Sequence, residues 1–115
     1  MRPRLSLAYA LVALGQREIG ELSPLRYLIN TLNSVAYRGV AEGYLEELCR
    51  EPQARRAVMA VIPAMNREEK SRTATLLGRS GAKDVEETLI TLSRDTDVAV
   101  GQAAAQALRA LRTAR

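Results

Sequence analysis

An all-α fold follows from three features of this sequence: its composition, one residue spacing that occurs four times, and capping residues at the ends of the segments that carry it. Phe and Trp are absent, and the only aromatics are Tyr9, Tyr27, Tyr37 and Tyr44. Ala, Leu and Val must therefore fill the interior. Ala and Leu rank high in helix propensity, whereas sheets lean on aromatic and β-branched side chains.

The spacing is that of one helix face. Arg4, Leu7, Ala10, Leu11 and Leu14 lie at offsets 0, 3, 6, 7 and 10, a single stripe at 3.6 residues per turn. The same offsets join Arg38, Ala41, Tyr44, Leu45 and Leu48, then Lys70, Thr73, Leu76, Leu77 and Ser80, then Gly101, Ala104, Ala107, Leu108 and Leu111. The copies start 34, 32 and 31 residues apart, and a basic residue opens three of the four. Gly15 and Gly81 close two copies in the same register. A helix pair of this kind cannot bury its stripe alone, so such units stack in arrays.

Each element has its own justification. The first stripe predicts a helix over about 4–15. Ser23-Pro24 supplies an N-cap followed by Pro at the first helical position, where the missing N–H is harmless, and opens a helix over 24–33. The second stripe spans 36–50. Glu51-Pro52 opens a helix over 53–65, which Pro63 should kink or end early. Asn66 and Glu69 form a capping box for 68–79, and Asp84 with Glu87 forms another for 85–94. Asp97 caps the last helix, 98–113. Within these helices Gly39, Gly43, Gly78 and Gly101 each lower helix propensity, and close helix–helix approach is the reason expected for them.

Composition also excludes functions. With no His and a single Cys, Cys49, the usual zinc sites are ruled out and no intramolecular disulfide can form. A reducing, cytoplasmic setting fits. The apolar stretch Leu5–Leu14 is too short to span a bilayer, so no membrane insertion is expected. Net charge is +4, and the excess lies in residues 51–83, with Arg55, Arg56, Arg67, Lys70, Arg72, Arg79 and Lys83 against three acids. There is no unbroken basic run and no aromatic interleaving for base stacking.

The segments RLSLAYALVALGQREIGELSPLRYLINTLNS (4–34) and DTDVAVGQAAAQALRALR (95–112), with RGVAEGYLEELC (38–49) and EEKSRTATLLGRSG (68–81) more loosely, resemble HEAT repeats. The likeness is to the short bacterial repeats of the phycocyanobilin-lyase-like type. That resemblance implies a right-handed α-α superhelix, a HEAT-like solenoid, of about seven antiparallel helices over 1–115. It specifies packing and no chemistry. Gly101 departs from it by standing where the family has Arg, which removes an arginine from the ion pair at that turn. Tetratricopeptide and ankyrin signatures are absent.

Three consequences follow. The chain opens on an inner-type helix without an outer partner, so it is expected to be the C-terminal piece of a longer protein or to self-associate through an N-terminal face of Leu5, Ala8 and Val12. Arg109, Arg112 and Arg115 give the far end a polar cap. The inner helices are expected to line a groove that runs from acidic Glu42 and Glu46, near Arg50, to Arg72, Thr75 and Arg79, with Gln102, Gln106 and Arg109 beyond. Arg55 and Arg56 lie on an outer helix, so at least one should point away from that groove.

The groove suits a charged protein or peptide segment, and the function expected is a non-enzymatic interaction or scaffolding module without cofactor. The alternatives are nucleic-acid backbone binding on a basic concave face and an accessory role in a lyase-like system. For the latter, Cys49 and the Glu42/Glu46 pair are the residues a catalytic reading would use. Cys49 reads instead as a small buried side chain. Tyr44 sits in a core register position and its hydroxyl needs a partner, while Tyr37 is expected to be partly exposed.

Overall fold

A computed structural model describes residues 2–13 and 23–113. Among the described residues the chain has seven α-helices and no strand: α1 (Arg2–Ala13), α2 (Pro24–Thr31), α3 (Arg38–Leu48), α4 (Pro52–Val61), α5 (Arg67–Ser80), α6 (Glu86–Ser93) and α7 (Val98–Thr113). Short 3₁₀ turns at Ile62–Ala64 and Lys83–Val85 precede α5 and α6. The chain forms two compact units, Met1–Val58 and Met59–Arg115.

Most helix ends are set by the residues that the sequence marks. The Ser23 hydroxyl accepts from the Arg26 N–H at 3.2 Å, with Pro24 in the first turn. Asn66 and Glu69 exchange both bonds of a capping box at 2.9 Å. Asp97 accepts from the N–H groups of Ala99 and Val100. Gly81 closes α5 at φ +69°, a left-handed conformation in which only glycine avoids a β-carbon penalty. Gly15 lies outside the described residues. Pro63 ends α4 early: the helix stops at Val61 and passes into the 3₁₀ turn that contains the proline. One cap differs from expectation. Asp84 falls inside the Lys83–Val85 turn, and Val85 occupies the position before α6 without a side-chain cap, because the extra turn delays the helix by one residue.

In the first unit α1 packs on α2 and α3. The stripe expected on α3 is inside: Ala41, Leu45 and Leu48 are buried and Tyr44 is half-buried. On α1 the expected face is the wrong one. Leu7 is 60% exposed and Ala10 is exposed, whereas Leu5, Ala8 and Val12 are buried. The self-association face proposed from Leu5, Ala8 and Val12 is thus part of this unit's own core.

The physical reason is that α1 is apolar around most of its circumference, so periodicity alone does not select a side. Polar contacts select it instead. Tyr9 stacks on Tyr44 with ring centroids 5.0 Å apart, and the Ser6 and Tyr44 hydroxyls lie 2.7 Å apart. Tyr44 thereby gains the hydroxyl partner that its position requires. Tyr37, at the start of α3, is half-buried.

Arg55 on α4 is buried, with 8% exposure, and donates from Nη1 to the Cys49 carbonyl at 2.8 Å. A guanidinium at the C-terminal end of α3 meets a carbonyl that has no intrahelical donor, and its charge suits that end of the helix dipole. Arg56 is exposed. Cys49 is itself buried.

In the second unit α5 and α6 both pack on α7. Their directions follow from the pairs they form. Glu86, at the start of α6, meets Arg112 near the end of α7 at 3.2 Å, so α6 and α7 run antiparallel. Arg67 and Lys70, in the first turn of α5, reach Asp97 and Asp95 just before α7, at 3.1 and 3.5 Å. Gly78 near the end of α5 meets Ala107 in the second half of α7, so α5 and α7 run parallel. Both expected stripes are inside. Thr73, Leu76 and Leu77 of α5 and Ala104, Ala107, Leu108 and Leu111 of α7 are buried, together with Val85, Leu89 and Leu92.

Candidate functional site

The most site-like feature of the second unit grows from two small residues. A β-carbon built on Gly78 would lie 2.7 Å from the Ala107 β-carbon and 3.0 Å from the Ala107 carbonyl oxygen. Glycine therefore lets the α5 and α7 backbones meet at that crossing, the close approach expected of a glycine inside a helix. Gly101 has a milder reason of the same kind, since its β-carbon would meet the Ser93 carbonyl at 3.2 Å. Gly39 and Gly43 do not share it: no atom lies within 4 Å of either added β-carbon. Close approach explains two of the four helical glycines, and nothing in the structure explains the other two.

Around the crossing, Thr75, Gly78 and Arg79 of α5 and Ala103, Gln106, Ala107 and Ala110 of α7 line a depression of about 250 Å³. At the crossing itself Gly78 faces Ala107 because a larger side chain does not fit between helices this close, while Ala103 is half-buried and Ala110 exposed. Arg79 and Gln106 are exposed. The Thr75 hydroxyl donates to the Ser71 carbonyl at 3.2 Å and stays against its own helix.

The residues expected in the groove divide accordingly. Thr75, Arg79 and Gln106 come together. Arg72 lies one turn earlier on α5, and its Nε donates to Glu68 at 2.6 Å; it does not line the depression. Arg109 is exposed on α7 outside the lining. Glu42 and Glu46 are half-buried on α3 of the first unit. Sequence reasoning missed Ala103, Ala107 and Ala110 as lining residues; their signal was the density of small side chains on α7.

Most of the basic cluster is occupied internally. Arg55 is buried, and Arg67, Lys70 and Arg72 are paired with Asp97, Asp95 and Glu68. The Asp95 carboxyl is held below the ordinary aspartate range, chiefly by the Asp97 N–H that donates to it at 2.8 Å, and also by Lys70; burial opposes them. The Asp-x-Asp turn is thus a clasp between the start of α5 and the start of α7. Lys70, one repeat back, supplies a cation to this turn, where the resemblance would have put an arginine in place of Gly101.

Among the described residues no group of three or more His, Cys, Asp or Glu is placed to hold a metal ion, and no helix is long and apolar enough to cross a membrane. The fold defines the class as an all-helical protein with repeat-like stripes. Comparisons with protein-family models, curated proteins and solved structures returned no match.

Proposed function

We propose that this chain is a non-enzymatic protein–protein interaction or scaffolding module of the HEAT-like kind, a right-handed superhelix of helix pairs that presents a groove to a partner segment. The observation that carries this reading is the depression at the Gly78–Ala107 crossing, which combines a base of small residues with the exposed Arg79 and Gln106. Parallel α5 and α7 bearing the same stripe, with α6 antiparallel to α7, support the repeat reading, because consecutive repeats place equivalent helices side by side. Cytoplasmic function without a cofactor belongs to the same proposal. Nucleic-acid backbone binding is disfavoured, since it draws on cations that here serve Asp95, Asp97, Glu68 and the Cys49 carbonyl.

The test is a photo-crosslinking residue placed at Gln106 in cells that make the protein, compared with one at the exposed Gln53 of α4. The proposal expects a discrete protein adduct from Gln106 that Gln53 does not give. No adduct, or the same adducts from both positions, contradicts it.

A further inference from the structure

We propose that Met59 is an oxidation site: a hydroperoxide transfers one oxygen atom to its sulfur, and the Thr88 hydroxyl that donates to the sulfur in the reduced chain then donates to the sulfoxide oxygen. Both residues belong to the second unit. The inference stands apart from the interaction-module reading and adds a redox-sensitive contact between α4 and α6.

Accessibility is the first argument. Among the described residues the sulfur-bearing side chains are Cys49, Met59 and Met65. Cys49 and Met65 are buried, whereas Met59, on α4, is half-buried. A peroxide must reach the sulfur, so susceptibility follows exposure. The step balances between the two reactants. A sulfur lone pair attacks the outer peroxide oxygen, and an S–O bond forms as the O–O bond breaks. The hydroperoxide's proton leaves with the departing oxygen as water or an alcohol. Sulfur is oxidised and the peroxide is reduced.

The hydroxyl is the second. Thr88 of α6 donates from Oγ1 to the Met59 Sδ at 3.3 Å. Thr31, Thr75, Thr91 and Thr113 each donate instead to the carbonyl four residues back on their own helix, the local bond that helical threonines commonly form. Thr88 reaches across to another helix, and its acceptor there is a thioether, a weak one. That bond engages one sulfur lone pair and leaves the other for the oxidant. Oxidation places a polar oxygen on the sulfur within reach of a donor already in position, and the unbranched side chain can turn that oxygen toward it. Methionine sulfoxide ordinarily disrupts the packing it interrupts. Here the Thr88 hydroxyl satisfies the new polar group and keeps α4 and α6 in contact.

The experiment exposes the whole chain to hydrogen peroxide and follows each methionine by mass spectrometry of proteolytic fragments. Met59 is expected to gain one oxygen roughly tenfold faster than Met65. Urea midpoints of the parent and of Thr88→Val are then measured before and after oxidation, with both repeated in a Met59→Leu background. Thr88→Val is expected to lower the midpoint more in the oxidised chain than in the reduced one, and to lose that difference once Met59 is replaced. Comparing two redox states of one variant separates this effect from a general folding defect. Met65 reacting as fast as Met59 overturns the oxidation site. A Thr88→Val effect that is equal in both states, or a redox difference that persists without Met59, overturns the role of the hydroxyl.

Discussion

Gly78 and Ala107 meet so closely that a β-carbon on the glycine would stand 2.7 Å from that of the alanine. Every property of the candidate site descends from this contact. It brings two parallel helices together, requires a glycine opposite Ala107, and has Arg79 and Gln106 beside it in the lining of the depression.

Gly78→Ala should therefore destabilise the chain by about 1–3 kcal/mol, because overpacking outweighs the roughly 1 kcal/mol gained in helix propensity. Gly43→Ala faces open space and should stabilise by up to about 1 kcal/mol. Urea denaturation of the two variants gives opposite signs.

The rotation of α1 predicts a second contrast. Leu5 is fully buried and Leu7 is 60% exposed. Leu5→Ala should lower stability by about 2–5 kcal/mol, whereas Leu7→Ala should stay within about 0.5 kcal/mol. Denaturation midpoints check this, and equal effects would mean that the helix is turned otherwise.

Helix starts were legible in the sequence where they depend on local chemistry: Ser23, Asn66 with Glu69, and Asp97 act over three residues and need no knowledge of the fold. The stripes of α3, α5 and α7 were legible because polar residues separate their faces. That of α1 was not, since Leu5, Leu7, Ala8, Ala10, Leu11 and Val12 surround the helix and a stack on Tyr44 decides the matter. Sequence reasoning placed Arg55 and Arg56 together on an outer helix and did not say which is buried, because the partner of Arg55 is a backbone carbonyl, which no side-chain pattern marks. In the candidate site the polar positions Thr75, Arg79 and Gln106 could be read from register, but the alanines that shape it gain their role only from the crossing.

Arg55→Ala removes a charge-assisted bond to the Cys49 carbonyl and the packing of the arginine stem. A loss of about 2 kcal/mol is expected, against a negligible change for Arg56→Ala on the exposed side of the same helix. Thermal or urea unfolding distinguishes them.

The Asp95 clasp gives a pH dependence with a definite sign. Its folded-state pKa lies below the ordinary value, so its contribution is present above the unfolded-state pKa and is lost as pH falls through the folded one. Carboxyl NMR should show Asp95 titrating below the other aspartates, and Asp95→Asn should flatten the acid limb of a stability–pH curve. An ordinary midpoint would show that the Asp97 N–H does not hold it.

The most direct test of the whole account is a nuclear Overhauser measurement on the labelled chain between the Gly78 α-protons and the Ala107 methyl. The account predicts a strong cross-peak, as the two backbones touch at that point. Its absence, with Gly78 contacting residues of α6 in its place, would contradict the helix arrangement and remove the site built upon it.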